Sequence, residues 1–303
     1  MSDDQQNKGL LQVVSGYLIW GLLPIFWKTL AHVHSLEVIL HRILWGAVCA
    51  SLYFLIQKRN PLRILRTVWS TDRKYLLILS ALTVTANWLS YVYAVTSGQI
   101  LQASLGYYIS PIMLVTLGVF FKEPMTKLQK AALVLAVIGV LYSAVRVGTI
   151  PWLSLLIAGT FAGYAMIKKR MGFDGMKALL SDTVILFPIT LAIVLYLFVT
   201  GQGMFLQPEA PRGSDLLLIL AGPATLLPLG LFIQGTISIP YKRIGFMQFI
   251  TPTMTFLLGT IVYGERFNFD EFVTFLFILA GVLCYVLSLM QSRHHAKMKN
   301  KKK

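Results

Sequence analysis

Ten long apolar blocks, at about 10–30, 38–57, 75–95, 100–121, 128–146, 151–167, 178–200, 215–234, 240–263 and 271–290, restrict what this chain can become. Most hold roughly 20 residues, the length at which a helix crosses about 30 Å of hydrocarbon. Of the 303 residues, 56% are hydrophobic and 13% charged. A soluble domain carries about 25% charged residues. The blocks therefore predict an all-α, multi-pass integral membrane protein. The block nearest the start is read as part of the mature protein. Too little positive charge precedes it for a signal peptide, and no small-residue cleavage site follows.

Net charge is +15, yet the basic residues lie between the blocks. With the N-terminus in the cytoplasm, the inner loops and ends carry 22 basic residues and the outer ones four (Lys28, Arg146, Arg212 and Arg266). That asymmetry is the positive-inside pattern, places both termini in the cytoplasm and requires an even number of spans. It also explains the charge without nucleic acid as a partner. Cys49 and Cys284 both fall in apolar blocks and form neither a disulfide framework nor a metal-ligand spacing. No metal and no other cofactor is expected.

The chain is written twice. The stretch 99–123 has Pro111 at its middle, and 244–265 has Pro252, an offset of 141 in the numbering. Trp20 and Lys28 match Phe161 and Lys169 at the same offset, and Gly139 matches Gly281 at 142. Each copy has five spans, an odd number, so the second enters the membrane from the opposite side. Expected boundaries are a cytoplasmic N-terminus 1–8, a first repeat 9–146, an inverted second repeat 150–290 and a basic cytoplasmic tail 291–303.

Particular segments resemble a known family. KEPMTKLQKAALVLAVIGVL (122–141) and GERFNFDEFVTFLFILAGVL (264–283) are similar to the block that closes an EamA repeat of the drug/metabolite transporter superfamily. GYLIWGLLPIFWK (16–28), LHRILWG (40–46), NWLSYVYAV (87–95), ASLGYYISP (103–111) and TLLPLGLFIQG (225–235) resemble its RarD branch, whose name comes from a link with chloramphenicol sensitivity. The resemblance implies ten transmembrane helices as two inverted five-helix EamA-type repeats. It also implies a permease of the bacterial inner membrane working by alternating access, with no settled substrate.

Candidate pathway residues follow from polar groups placed where lipid does not tolerate them. Arg42 lies more than a turn inside its block, where a charge costs a few kcal/mol. Either it snorkels to the outer interface, or it lines the pathway and holds an anionic or carboxylate group. His41 beside it is a pathway candidate or a packed, hydrogen-bonded histidine. At the repeat offset His41 maps onto Asp182, a candidate inner gate or coupling group. Asn87 and Tyr91 share a helical face. With Trp88, Tyr107 and Tyr108 they would make an aromatic, hydrogen-bonding wall, joined by Trp20 and Gln248. Pro111 and Pro252 are expected helix breaks beside a cavity, or simple packing kinks. The Gly159–Gly163 spacing predicts a close helix contact. Glu123 and Glu265 read as structural caps.

The partners expected are a small-molecule solute, membrane lipids and, through blocks five and ten, a second copy in a homodimer. No GxxxxGK[ST] motif supplies an ATPase. A membrane-embedded enzyme acting on lipid-linked substrates is the alternative class. It would need clustered His, Asp or Glu, and the chain has no HExxH motif. A non-transporting receptor or scaffold is the other alternative.

Overall fold

The computed structural model describes residues 3–70, 74–119, 125–146, 150–171, 175–238, 247–266 and 268–301, and every regular element among them is helical. In chain order these are α1 (Asp3–Thr29), α2 (Ser35–Ile56), α3 (Pro61–Trp69), α4 (Lys74–Thr96), α5 (Ile100–Val119), α6 (Lys127–Arg146), α7 (Trp152–Met171), α8 (Gly175–Thr200), α9 (Ser214–Ser238), α10 (Ile250–Leu257) and α11 (Phe269–Lys301). A π-helical turn, Leu258–Val262, extends α10. Among the described residues seven helices are long and apolar enough to cross a membrane, and Trp152–Lys168 and Ile250–Val262 are shorter apolar helices.

Three elements differ from the block reading. The basic loop after α2 folds into α3, because Asn60 Oδ1 accepts from the Leu62 N–H at 2.9 Å and Pro61 takes the first helical position, where its missing N–H is not needed. Ile64 and Leu65 of α3 pack under a buried cluster of Ala50, Phe54, Met176, Leu179 and Leu180. In the ninth block Met247 is helical, a turn follows at 248–249 and helix resumes at Ile250, while residues 239–246 lie outside the described set. α11 continues unbroken from the tenth block into the basic tail, as far as Lys301.

The chain divides into two compact units, one of Met1–Gly98 with Ile167–Met254 and the other of Gln99–Met166 with Thr255–Lys303. Each unit draws helices from both halves of the sequence. In the first, α1 lies along α9, α2 packs on both α8 and α9, and α4 packs against α2 and α8. In the second, α6 lies along α11, and both pack on α5.

The α6–α11 crossing is built on two glycines. A Cβ added at Gly139 would lie 3.1 Å from Phe277 Cβ and 3.2 Å from Thr274 O. One added at Gly281 would lie 3.0 Å from Ala132 O and 3.6 Å from Leu135 Cβ. Thr274 and Phe277 are offset from Ala132 and Leu135 by the same interval that separates the two glycines. The two helices run antiparallel and meet through equivalent surfaces. Gly159 behaves otherwise: among the described residues a Cβ there meets nothing within 4 Å, so the Gly159–Gly163 spacing marks no crossing at its first glycine. Spacing alone does not show which face of a helix is covered.

Replacing Gly139 or Gly281 by Leu is expected to lower stability by about 1–3 kcal/mol through overpacking, with Gly159→Leu close to neutral. Thermal unfolding in detergent measures this; equal melting points for all three variants would contradict the crossing.

Candidate functional site

Arg42 anchors the site. α2 opens at Ser35, with the His34 ring capping Leu36 N, and Arg42 follows two turns later. Arg42 is only 7% exposed, its head covered by protein. Its guanidinium carbon sits 5.1 Å from the Trp27 ring centroid and 4.3 Å from that of Trp88. Each such contact contributes about 0.5–2 kcal/mol when desolvated. Trp88 rides on α4 beside Asn87 and Tyr91, which are both buried. The predicted inward face of α4 is therefore in place. In sequence Trp27 is one aromatic residue among several in its block, with nothing to single it out.

His41 is fully buried. Its Nδ1 accepts from Trp45 Nε1 at 3.2 Å, and its ring stacks at 4.4 Å on Phe205 from the segment between α8 and α9. Among the described residues its Nε2 has no hydrogen-bond partner.

Glu37, 5% exposed, holds that segment down. Its Oε1 accepts from the N–H groups of Met204 at 2.8 Å and Phe205 at 3.1 Å. The approach is close at Gly203, where a Cβ would stand 2.8 Å from Glu37 Oε1 and displace the carboxylate. Asp215 Oδ1 accepts from Leu206 N at 2.7 Å, and His32 Nε2 lies 2.7 Å from Ser214 Oγ. The segment is thus fastened over the first turns of α2, with Phe205 against His41.

Asp182, 2% exposed, is not a lone carboxylate. Lys168 Nζ donates to its Oδ1 at 2.7 Å and Ser80 Oγ donates to the same oxygen at 2.9 Å. Lys168 Nζ also lies 3.4 Å from Ser181 Oγ. Lys168 reads as a loop charge in sequence, yet it occupies the last turn of α7 and is buried. The signal was present: Lys168 falls at the repeat offset from Trp27, as Asp182 does from His41. Removing one partner of a buried pair costs about 3–5 kcal/mol.

The other predicted residues are distributed as follows. Trp20 belongs to an aromatic group with Tyr17 and Phe232, at 5.7 and 5.6 Å between centroids. Gln248 is half-buried in the turn before α10. In the second unit, Tyr107 packs edge-on to Phe161 at 5.8 Å and Tyr108 to Phe275 at 6.3 Å. Pro111 is inside α5, where Ser110 Oγ donates back to Gly106 O at 2.9 Å. Pro252 falls in the first turn of α10, a place that tolerates proline. Prolines also sit inside α1, α8 and α9, so position within a block does not by itself single out Pro111. Glu265 is a cap, but of α5: its Oε1 and Oε2 accept from Ile100 N at 2.8 Å and Leu101 N at 2.9 Å. Those N–H groups are the unsatisfied start of a helix. Glu123 lies outside the described residues. Lys28 Nζ donates to Val95 O at 3.2 Å near the end of α4. Among the described residues no group of three or more His, Cys, Asp and Glu could hold a metal ion.

Membrane-length helices enclosing a few buried charges make this a multi-pass helical membrane protein, and comparison with known proteins gives its class. The sequence profile described as "EamA-like transporter family" matches residues 7–145. The chain is 36% identical to "Uncharacterized transporter YojE" of Bacillus subtilis over 98% of this chain and 99% of that protein. It is 31% identical to "Protein RarD" of Escherichia coli over 97% of this chain and 98% of that protein. A solved structure titled only "Crystal structure of protein" aligns with TM-score 0.56 over 93% of this chain and 98% of its own, at 15% identity, which shows a shared fold. The chain belongs to the EamA family, in its RarD branch. It is a membrane transporter of the drug/metabolite type, with a small-molecule solute and membrane lipids as partners.

Glu37→Ala leaves two backbone donors of the outer segment without their acceptor, a loss of about 1–3 kcal/mol. Tryptic cleavage after the exposed Arg212 is expected to speed up about tenfold. Unchanged cleavage kinetics would show that Glu37 does not hold the segment.

Proposed function

We propose that this protein is a secondary permease of the bacterial inner membrane that moves a small metabolite or amphipathic drug-like solute by alternating access. In this reading it has ten spans, arranged as an inverted pair of five-helix repeats at 9–146 and 150–290, and both termini are cytoplasmic. Arg42, buried between Trp27 and Trp88, carries the reading. A guanidinium in hydrocarbon is kept where it faces a pathway, and its planar fork is suited to an anionic or carboxylate group. The indoles offer flat apolar walls to the rest of an amphipathic solute. Asn87, Tyr91 and His41 line the same neighbourhood, Tyr107, Tyr108, Trp20 and Gln248 serve other parts of the route, and Pro111 and Pro252 serve as bends.

The inverted repeat is supported by the Gly139–Gly281 crossing, where matched positions make equivalent contacts in antiparallel helices. It is supported again where α1 meets α2 and α7 meets α8: Trp27 touches Arg42, and Lys168, at the repeat offset from Trp27, touches Asp182, one position before the match of Arg42 at Thr183. Asp182 is the inner gate, held shut by Lys168. α6 and α11 expose Val134, Val137, Leu141, Leu276, Leu279 and Leu283, an apolar surface for lipid and for a homodimer contact. The transporter names of the relatives weigh against the enzyme and scaffold alternatives.

Arg42→Ala is expected to leave expression and membrane insertion intact and to cut solute uptake into proteoliposomes about tenfold or more below saturation. Arg42→Lys, which keeps the charge but not the planar fork, should fall between. Wild-type uptake by Arg42→Ala across a screen of organic acids, amino acids and amphipathic drugs would remove Arg42 from the pathway.

A further inference from the structure

The arrangement around Asp182 is that of a carboxylate receptor with a carboxylate already in it. One oxygen of Asp182 receives an ammonium N–H from Lys168 and a hydroxyl from Ser80, and Ser181 lies against the same ammonium. All four side chains are buried. A lysine–aspartate pair taken out of water contributes little stability that apolar side chains of similar volume would not match. Its use is clearest where the pair opens and closes.

This receptor lies close to Arg42. A Cβ added at Gly46, one turn beyond Arg42 on α2, would stand 3.4 Å from the Thr183 methyl carbon, next to Asp182 on α8. Arg42 and Asp182 thus stand on two packed helices, one turn and one residue from this contact. The two copies differ at these positions. Where the second has Asp182 the first has His41, and where the second has Lys168 the first has Trp27, so the first copy presents Arg42 with aromatic walls and the second Lys168 with a resident anion.

We propose that Lys168 and Ser80 form a second binding station for organic carboxylates, and that Asp182 occupies it until a solute carboxylate handed on from Arg42 displaces it. The proposal rests on the permease reading and narrows its solute to organic anions. Asp182 acts as an internal substitute for the solute. It keeps Lys168 neutralised when the pathway is empty, and its displacement couples arrival of the anion to opening between α7 and α8. The transported anion meets a neutral pair and leaves a neutral pair.

The test uses the full-length protein in detergent, with acetate as the probe and acetamide and chloride at matched ionic strength as controls. Asp182→Asn removes the resident charge while an amide oxygen remains to accept from Ser80 and Lys168; the variant is expected to melt lower than wild type, and each protein's shift is read against its own melting point without acetate. Acetate is expected to raise its melting point saturably by about 3 °C, with acetamide and chloride inert. Wild type should need at least about tenfold more acetate for the same shift, because Asp182 competes. Asp182→Asn with Lys168→Gln should lose the response. Three results would each overturn the station: equal shifts from acetate and acetamide, a wild-type response at the same concentration as the variant, or an undiminished response in the double variant. The readout needs no transport. A normal acetate shift in a protein that moves no solute in liposomes would sink the permease reading and leave the station standing, and the reverse pattern would sink only the station.

Discussion

Lipid gives no solvation to a charge, so each buried ionic group of this protein depends on donors or aromatic faces supplied by the chain. Arg42 has two indole rings. Asp182 has an ammonium and a hydroxyl. Glu37 has two backbone N–H groups of the outer segment, and Glu265 has two at the start of α5. Each solution ties together elements distant in sequence, so the compensation of charge and the docking of helices are one process. Removing a donor unsettles both.

The four groups nevertheless have different consequences. Glu37 and Glu265 accept from main-chain donors that themselves need partners, so donor and acceptor are satisfied at once. Those carboxylates are structural. Arg42 and the Lys168–Asp182 pair meet side chains, which can swing away without unravelling a helix. That difference separates static caps from groups a solute can engage, and it places the proposed route on α2, α4, the last turn of α7 and α8 rather than on the glutamates.

The helices were legible in the sequence because apolar block length leaves little freedom in a membrane. Arg42 was legible for the same reason: its depth made exposure costly, and it is buried. Asn87 and Tyr91 followed from a four-residue spacing. Lys168 was legible only through the repeat offset, since a lysine at the end of an apolar block looks like a loop charge until its partner Asp182 on α8 is known. Glu265 was readable as a cap, but not which helix it caps, because the recipient lies far away in sequence, at Ile100 and Leu101. Phe205 and Glu37 escaped because a polar segment between helices gives no periodicity to read. The repeat offset carried more than the motifs alone: it pairs Trp27, which touches Arg42, with Lys168, which touches Asp182, the match of His41 beside Arg42.

The proposed inverted repeat is the claim on which the two-station route rests, and side-specific labelling tests it most directly. Position 36 at the start of α2 and position 177 at the start of α8 are separated by the same offset as Pro111 and Pro252 and are therefore matched. Single cysteines at Leu36 and at Lys177, in a chain with Cys49 and Cys284 changed to alanine, would be exposed to a membrane-impermeant maleimide on intact cells. An inverted repeat gives labelling at 36 without permeabilisation and at 177 only after it. Labelling of both positions from the same side would contradict it.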